Sequence, residues 1–151
     1  MRRASKYNVS NNKEQRTYDG IVFDSAVEMK YYAEVILPGV KTGEIKSFNR
    51  QVKYTLQPGF RRNGKKILPI EYVADFVINY ANGNTIVVDT KGCPDSVAKL
   101  KRKLFWYVLP DIDYRWICYS RIDGGFVDYE TVEKGRKQRK KEKKEKQNGS
   151  K

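Results

Sequence analysis

Apolar residues along the chain keep two different periods. Over residues 27–37 they recur at helical spacing, behind Ser25 and Glu28, whose separation just before an apolar run fits a capping box. Pro38-Gly39 is expected to stop this helix. Over residues 44–56 the pattern becomes alternation, with Val52, Tyr54 and Leu56 on one side of a long strand. Two further β-rich runs, 67–80 and 85–91, flank an Asn82-Gly83 turn. A second helix starts at Pro94-Asp95, carries Val97, Leu100, Leu104 and Val108 on one face, and ends at Pro110. Residues 114–119 form a last strand and 126–129 a short extended piece, while Tyr18-Asp19-Gly20-Ile21 marks a small early hairpin. The order is helix, three antiparallel strands, helix, strand. This is an α/β (α+β, mixed-sheet) architecture with helices on both faces, and the helical crossover should make the last strand parallel to 85–91.

The hairpin over 72–92 breaks the usual chemistry of strands. It carries Asp75 on one arm and Asp89-Thr90-Lys91 on the other, although strand interiors disfavour Asp and Lys. A divalent cation held by the two carboxylates, with the lysine beside it, would account for them. Register decides whether they meet, because a slip of one residue reverses every side chain. A two-residue Asn82-Gly83 turn sets Asp75 opposite Thr90. A three-residue loop, Ala81-Asn82-Gly83, sets Asp75 opposite Asp89, with Lys91 diagonal on the same face. The alternative without a metal is an exposed cross-strand salt bridge between Asp75 and Lys91, against which the apolar neighbours Val73, Val77, Val87 and Val88 argue. Glu71 is a further acid close to Asp75, a weaker alternate ligand.

Composition narrows the chemistry. Histidine is absent, which removes a Ser-His-Asp triad, a His-dependent ββα-metal nuclease and His-liganded zinc or iron. A formal charge of +13 points to a polyanionic partner, nucleic acid first and an anionic membrane surface second. No apolar run reaches the length of a transmembrane helix and the N-terminus has no apolar signal core, so a cytoplasmic protein that is not secreted is expected. Cys93 and Cys118 fit neither a CxxC nor a zinc pattern and are expected to be reduced thiols. Residues 1–15 read as a mobile basic N-terminus, 16–133 as the folded domain and 134–151 as a basic tail. Over 134–146 nine basic residues accompany two acids, a density that favours disorder without a partner.

Phe23-Asp24-Ser25 with Glu28, then Tyr72-x-Ala-Asp75-Phe76, then Asp89-x-Lys91-Gly92 resemble the PD-(D/E)xK restriction-endonuclease-like superfamily, and are similar to a small phage-encoded, resolvase-like family of nucleases within it. The resemblance covers about residues 18–108. It departs from the commoner pattern at Ala74, where proline often stands, and at Asp89, where Glu is commoner. It implies that Asp75 and Asp89 are metal ligands, Lys91 the catalytic lysine, and Glu28 a third ligand directly or through water, although the capping box alone also explains Glu28. It implies Mg²⁺, with Mn²⁺ able to substitute. By the same resemblance Gln51 would help to position phosphate, and Lys99, Arg102 and Lys103 would lie near the scissile phosphate. The basic loop of Arg61, Arg62, Lys65 and Lys66, and the tail residues Arg136, Lys137, Arg139 and Lys140, would grip backbone phosphates. Solvated polar faces are the competing account of these basic residues. Tyr31 and Tyr32 fit either the core or the rim of a cleft. The expected function is a Mg²⁺-dependent DNA endonuclease, selective for branched DNA such as a Holliday junction or flap, working in phage recombination or replication as a possible homodimer. The alternative is a non-catalytic nucleic-acid-binding accessory protein that keeps the nuclease fold.

Overall fold

The structure, a computed structural model, describes residues 12–148. Of the stretch expected to be mobile, 1–15, residues 1–11 lie outside the described part, as do the last three residues. Lys13–Arg16 is a single 3-10 turn, and the guanidinium of Arg16 donates to the carbonyls of Phe23 and Asp24. The early hairpin forms as β1 (Thr17–Tyr18) and β2 (Ile21–Val22).

The first helix does not stop at Pro38-Gly39. It runs as α1 (Ala26–Tyr31), one π-helical turn (Tyr32–Ile36) and α2 (Leu37–Thr42), ending at Gly43 in the left-handed conformation. Pro38 falls in the first turn after the π-helical turn, where its missing N–H costs least. Gly39 is needed for another reason: a Cβ there would meet the Ile45 side chain at 2.6 Å. The Ser25 hydroxyl caps α1 by accepting from the Glu28 amide at 3.0 Å.

β3 (Ile45–Gln57), β6 (Ile70–Tyr80), β7 (Thr85–Thr90), β8 (Tyr114–Ser120) and β9 (Gly125–Asp128) form one five-stranded sheet in the order β3-β6-β7-β8-β9. β3, β6 and β7 are antiparallel and β8 runs parallel to β7, as the crossover requires. The segment expected as a basic loop is instead a small separate ribbon, β4 (Phe60–Arg62) and β5 (Lys65–Ile67), closed by Asn63 and Gly64 at positive φ.

Two apolar clusters cover the two faces. One joins Phe23, Tyr31, Tyr32 and Ile36 to Phe76, Ile78 and Val88, so Tyr31 and Tyr32 are core. The other joins Phe105 of α3 (Ser96–Val108) to Leu56, Tyr72, Ala74, Val87, Tyr114 and Trp116. Of the expected face of α3, Leu104 packs against this cluster, whereas Val97, Leu100 and Val108 are exposed. Val97 and Leu100 are more than half exposed, and the helix is seated by Phe105 and Ala98.

The tail is an ordered helix, α4 (Tyr129–Asn148), continuous across the boundary expected at 133–134. Its like charges are offset locally by the ion pairs Arg136–Glu133 at 3.4 Å, Arg139–Asp123 at 2.7 Å and Lys141–Glu145 at 3.9 Å. It is tied down by buried Val132 and by Tyr129 against the Trp116 ring. Arg102 completes the joint. Its guanidinium stacks 4.2 Å from the Trp106 ring and 4.3 Å from that of Trp116, and pairs with Glu130. The Arg102→Ala variant should therefore lose about 2 kcal/mol of stability, read by thermal denaturation, with Lys103→Ala within about 0.5 kcal/mol of the unsubstituted protein. An unchanged melting temperature for Arg102→Ala would show that α4 is seated without it. No helix among the described residues is long and apolar enough to cross a membrane.

Candidate active site

The hairpin adopts the register that the chemistry demanded. Phe76 faces Val88 and Asn79 faces Thr85, and continuing that register sets Asp75 level with Asp89. The cause is the turn. Ala81, Asn82 and Gly83 form a three-residue loop: the Gly83 amide donates to the Tyr80 carbonyl at 3.0 Å, Tyr80 donates to Asn84, and Gly83 has φ +89.

Asp75 sits where the alternation of β6 lapses. Tyr72 and Ala74 pack with Phe105, whereas Phe76 and Ile78, of the same parity, pack with Tyr31 and Ile36 on the other face. On the neighbouring strand Gln51, between the pairs Arg50–Phe76 and Val52–Ala74, has φ +52. A non-glycine residue in that region is strained, and such strain gathers at functional sites.

Asp75 accepts from the amide and hydroxyl of Thr90 at 2.8 and 2.7 Å and shares a hydrogen bond with Asp89. Burial, then the Asp89 and Glu28 carboxylates, push the Asp75 carboxyl up to about 8. Asp89 is 2 % exposed. Its Oδ2 takes the Lys91 ammonium at 2.5 Å and the Tyr72 hydroxyl. Behind Tyr72, the Tyr114 hydroxyl donates to it at 2.5 Å, and the Trp116 indole N–H donates to Tyr114 at 2.6 Å. An indole N–H can only donate, so each phenol proton points toward Asp89. Burial and the Asp89 charge hold the Tyr72 phenol far above its ordinary value, so it remains a donor at every working pH.

Glu28 is 1 % exposed and fully engaged. Its Oε2 accepts from the Asp24 amide at 2.9 Å, and its Oε1 from Arg50 and Gln51 at 3.1 and 3.0 Å. The capping role and a place beside the site therefore coexist, and Gln51 reaches the site through Glu28. Glu71 is not brought in, for it pairs with Lys53 at 3.1 Å. Lys91 lines a cavity of about 280 Å³ with Ser25, Thr90, Gly92 and Asp95, and a second of about 380 Å³ with Glu71, Tyr72 and Lys101.

The expected nucleic-acid contacts divide. Lys99 and Lys103 are exposed on α3. Arg102 is enclosed between two tryptophans and is lost to that role. Arg61, Arg62, Lys65 and Lys66 are exposed on the ribbon. On α4, Lys137 and Lys140 are exposed, while Arg136 pairs with Glu133 and Arg139 with Asp123. Cys93 is exposed and Cys118 buried, both as free thiols.

Sequence reasoning missed Arg50, Thr90 and the Tyr72–Tyr114–Trp116 relay. Thr90 was within reach, as the residue between Asp89 and Lys91. Nothing local marks Tyr114, 42 positions from Tyr72.

A family model matches residues 4–123. The chain belongs to the family described as protein of unknown function (DUF1064). No curated protein matches it. The match spans the whole constellation of Glu28, Gln51, Asp75, Asp89 and Lys91, and stops before β9 and α4, so the DUF1064 region holds the site and not the basic helix.

Proposed function

We propose that the chain is a metal-dependent DNA endonuclease of the PD-(D/E)xK type. The observation that carries this reading is the hairpin register, which gathers Asp75, Asp89 and Lys91 although only one of two turn geometries does so. Whether the residues fit a hard divalent cation can be judged from their charges. Burial, and after it the Asp89 and Glu28 carboxylates, push Asp75 toward its protonated form; a cation would relieve the repulsion, and the donors are all oxygens, which suits Mg²⁺ or Mn²⁺. As the side chains stand, no group of three or more acidic or thiol side chains among the described residues is arranged around an ion. The ligands would be Asp75 and Asp89, with Glu28 organising Gln51 and Arg50 beside them.

When bound, Mg²⁺ supplies Lewis-acid polarisation of the phosphodiester. The chain's own groups do the rest. Lys91, half-buried and free to turn from Asp89 toward a phosphate, stabilises the charge that develops on its oxygens. The Tyr72 hydroxyl donates to Asp89 and fixes the orientation of its carboxylate. The lysines of α3, the ribbon and α4 hold the polyanion. Branched DNA is the proposed substrate, cut by a symmetric pair of chains, since two cuts need two sites.

The test incubates labelled four-way junction, flap and linear duplex with the protein, with Mg²⁺, with Mn²⁺ and with chelator. Cleavage confined to the metal arms, and strongest on branched DNA, is expected. Tight binding without cleavage of any substrate would instead establish a non-catalytic accessory protein. Tyr72→Phe should slow cleavage about 10- to 100-fold, as loss of a ligand's outer support does elsewhere, and should also lower the melting temperature, because the buried Tyr114 hydroxyl loses its acceptor. Full activity in Tyr72→Phe would remove the phenol from the site.

A further inference from the structure

The β4–β5 ribbon has no role in the core. Every residue of both strands is exposed, on both faces. It projects from the far end of the β3–β6 hairpin, set off by Pro58 on one side and Pro69 on the other. Isolated two-stranded ribbons are marginal in water, so an exposed one needs a reason to persist.

Its surface chemistry supplies the reason. Arg61 stands opposite Lys66 and Arg62 opposite Lys65, which places one pair of cations on each face. The residues 58–69 contain no acid, and none of the four cations makes a salt bridge to a described residue. Cations alone could serve only to keep an open edge from pairing with another chain. That does not explain Phe60, Ile67 and Leu68, which are 47 %, 37 % and 68 % exposed beside them. Cations on both faces with apolar side chains between them suit a surface walled by phosphates and floored by base edges.

We propose that this ribbon enters the major groove of B-form DNA. Two strands roughly 4.8 Å apart, with side chains on both faces, match a groove about 12 Å wide. Arg61, Arg62, Lys65 and Lys66 reach the flanking phosphates and the acceptor edge of guanine, and the apolar residues meet thymine methyl groups. The eight steps from Ile67 to Asp75 span at most roughly 26 Å at about 3.3 Å each, less than one 34 Å turn of duplex. One duplex can thus lie on the ribbon and across the site together. The major groove of A-form RNA is too deep and narrow for this, so the ribbon selects DNA. The inference rests on the nuclease reading for its substrate class and adds how that substrate is gripped.

The experiment measures binding of the full chain by fluorescence anisotropy in chelator, so that it does not depend on cleavage. The probes are a plain duplex, a duplex whose major groove is filled by glucosylated 5-hydroxymethylcytosine, a duplex whose minor groove is filled by distamycin, and an RNA duplex. Major-groove filling should weaken binding at least about tenfold, distamycin should not, and RNA should bind more weakly than DNA. The variant R61A/R62A/K65A/K66A should lose the sensitivity to glucosylation, and its salt dependence should fall by about three to four units of slope. Because the ribbon lies outside the core, the variant should melt with the unsubstituted protein. Indifference to glucosylation, equal binding of RNA, or an unchanged variant would overturn the proposal. A duplex gripped in this way yet never cut with metal would sink the nuclease reading and leave the ribbon's role standing.

Discussion

Lys91→Ala should reduce DNA cleavage by about 10³-fold or more, because it removes the ammonium group that pairs with the Asp89 carboxylate at 2.5 Å. Asp89→Asn should do the same for a different reason. Oδ2 of Asp89 receives the Tyr72 proton and the Lys91 ammonium, and an amide has one acceptor oxygen and no charge to offer them. Neither loss should spread to the fold. Lys91 follows the last residue of β7, and the apolar clusters on both faces of the sheet are untouched. Lys53→Ala, which removes an exposed partner of Glu71, is the matched control and should cut at the normal rate. Single-turnover cleavage under saturating protein separates chemistry from binding, and duplex binding in chelator should stay within about threefold for Lys91→Ala. Cleavage by Lys91→Ala within tenfold of the unsubstituted rate would remove the lysine from the reaction.

The second large effect concerns pH. Asp75 holds a proton in the folded, metal-free protein up to about pH 8, against an ordinary value of 3.8. Between those values the native state binds a proton that the unfolded chain releases. The stabilisation is complete below the unfolded value and is lost as pH rises through the folded one. For one proton the slope approaches about 1.4 kcal/mol per pH unit, so from pH 5 to 8 the loss is at most about 4 kcal/mol. Thermal melts in chelator at each pH, for the unsubstituted chain and Asp75→Asn, isolate this term, because other groups cancel in the difference. The unsubstituted chain should fall relative to Asp75→Asn as pH rises. Mg²⁺ should recover the loss, and stabilise more at pH 8 than at pH 6, since it takes the place of the proton. A difference that stays flat with pH would show that Asp75 is ionised throughout and that the carboxylates do not repel.

These predictions draw on two sources of information that lie at different distances along the chain. Much of the fold follows from local pattern. The alternation of Val52, Tyr54 and Leu56, the Ser25–Glu28 cap and the Asn82-Gly83 turn each act within a few residues, so their elements are legible, and the parallel pairing of β7 and β8 follows from the handedness of crossovers. The types of residue at the site were legible for a similar reason, since Asp and Lys inside strands violate a local preference.

Other features were settled by partners distant in sequence. Periodicity placed Val97, Leu100, Leu104 and Val108 on one side of α3, but which side is buried was decided by Phe105 meeting Tyr54, Tyr72 and Tyr114. Charge density in 134–146 argued for disorder, and the anchors that order α4 lie elsewhere, at Arg102, Trp116 and Asp123. Arg102 read as a ligand for phosphate because its neighbours are basic, and only packing reveals the two rings that enclose it.

By itself, the sequence determined the order of elements, the turn that sets register, and the presence of two aspartates and a lysine on one hairpin, because each is written in contacts of short range. The tertiary structure alone decided what each carboxylate touches. It closed Glu28 with Arg50 and Gln51, left Asp75 facing Asp89, and stacked Trp116, Tyr114 and Tyr72 behind Asp89. Charge and desolvation at a site are sums over everything that surrounds it, and in this chain those surroundings come from α1, β3, β6, β7 and β8, which only folding brings together.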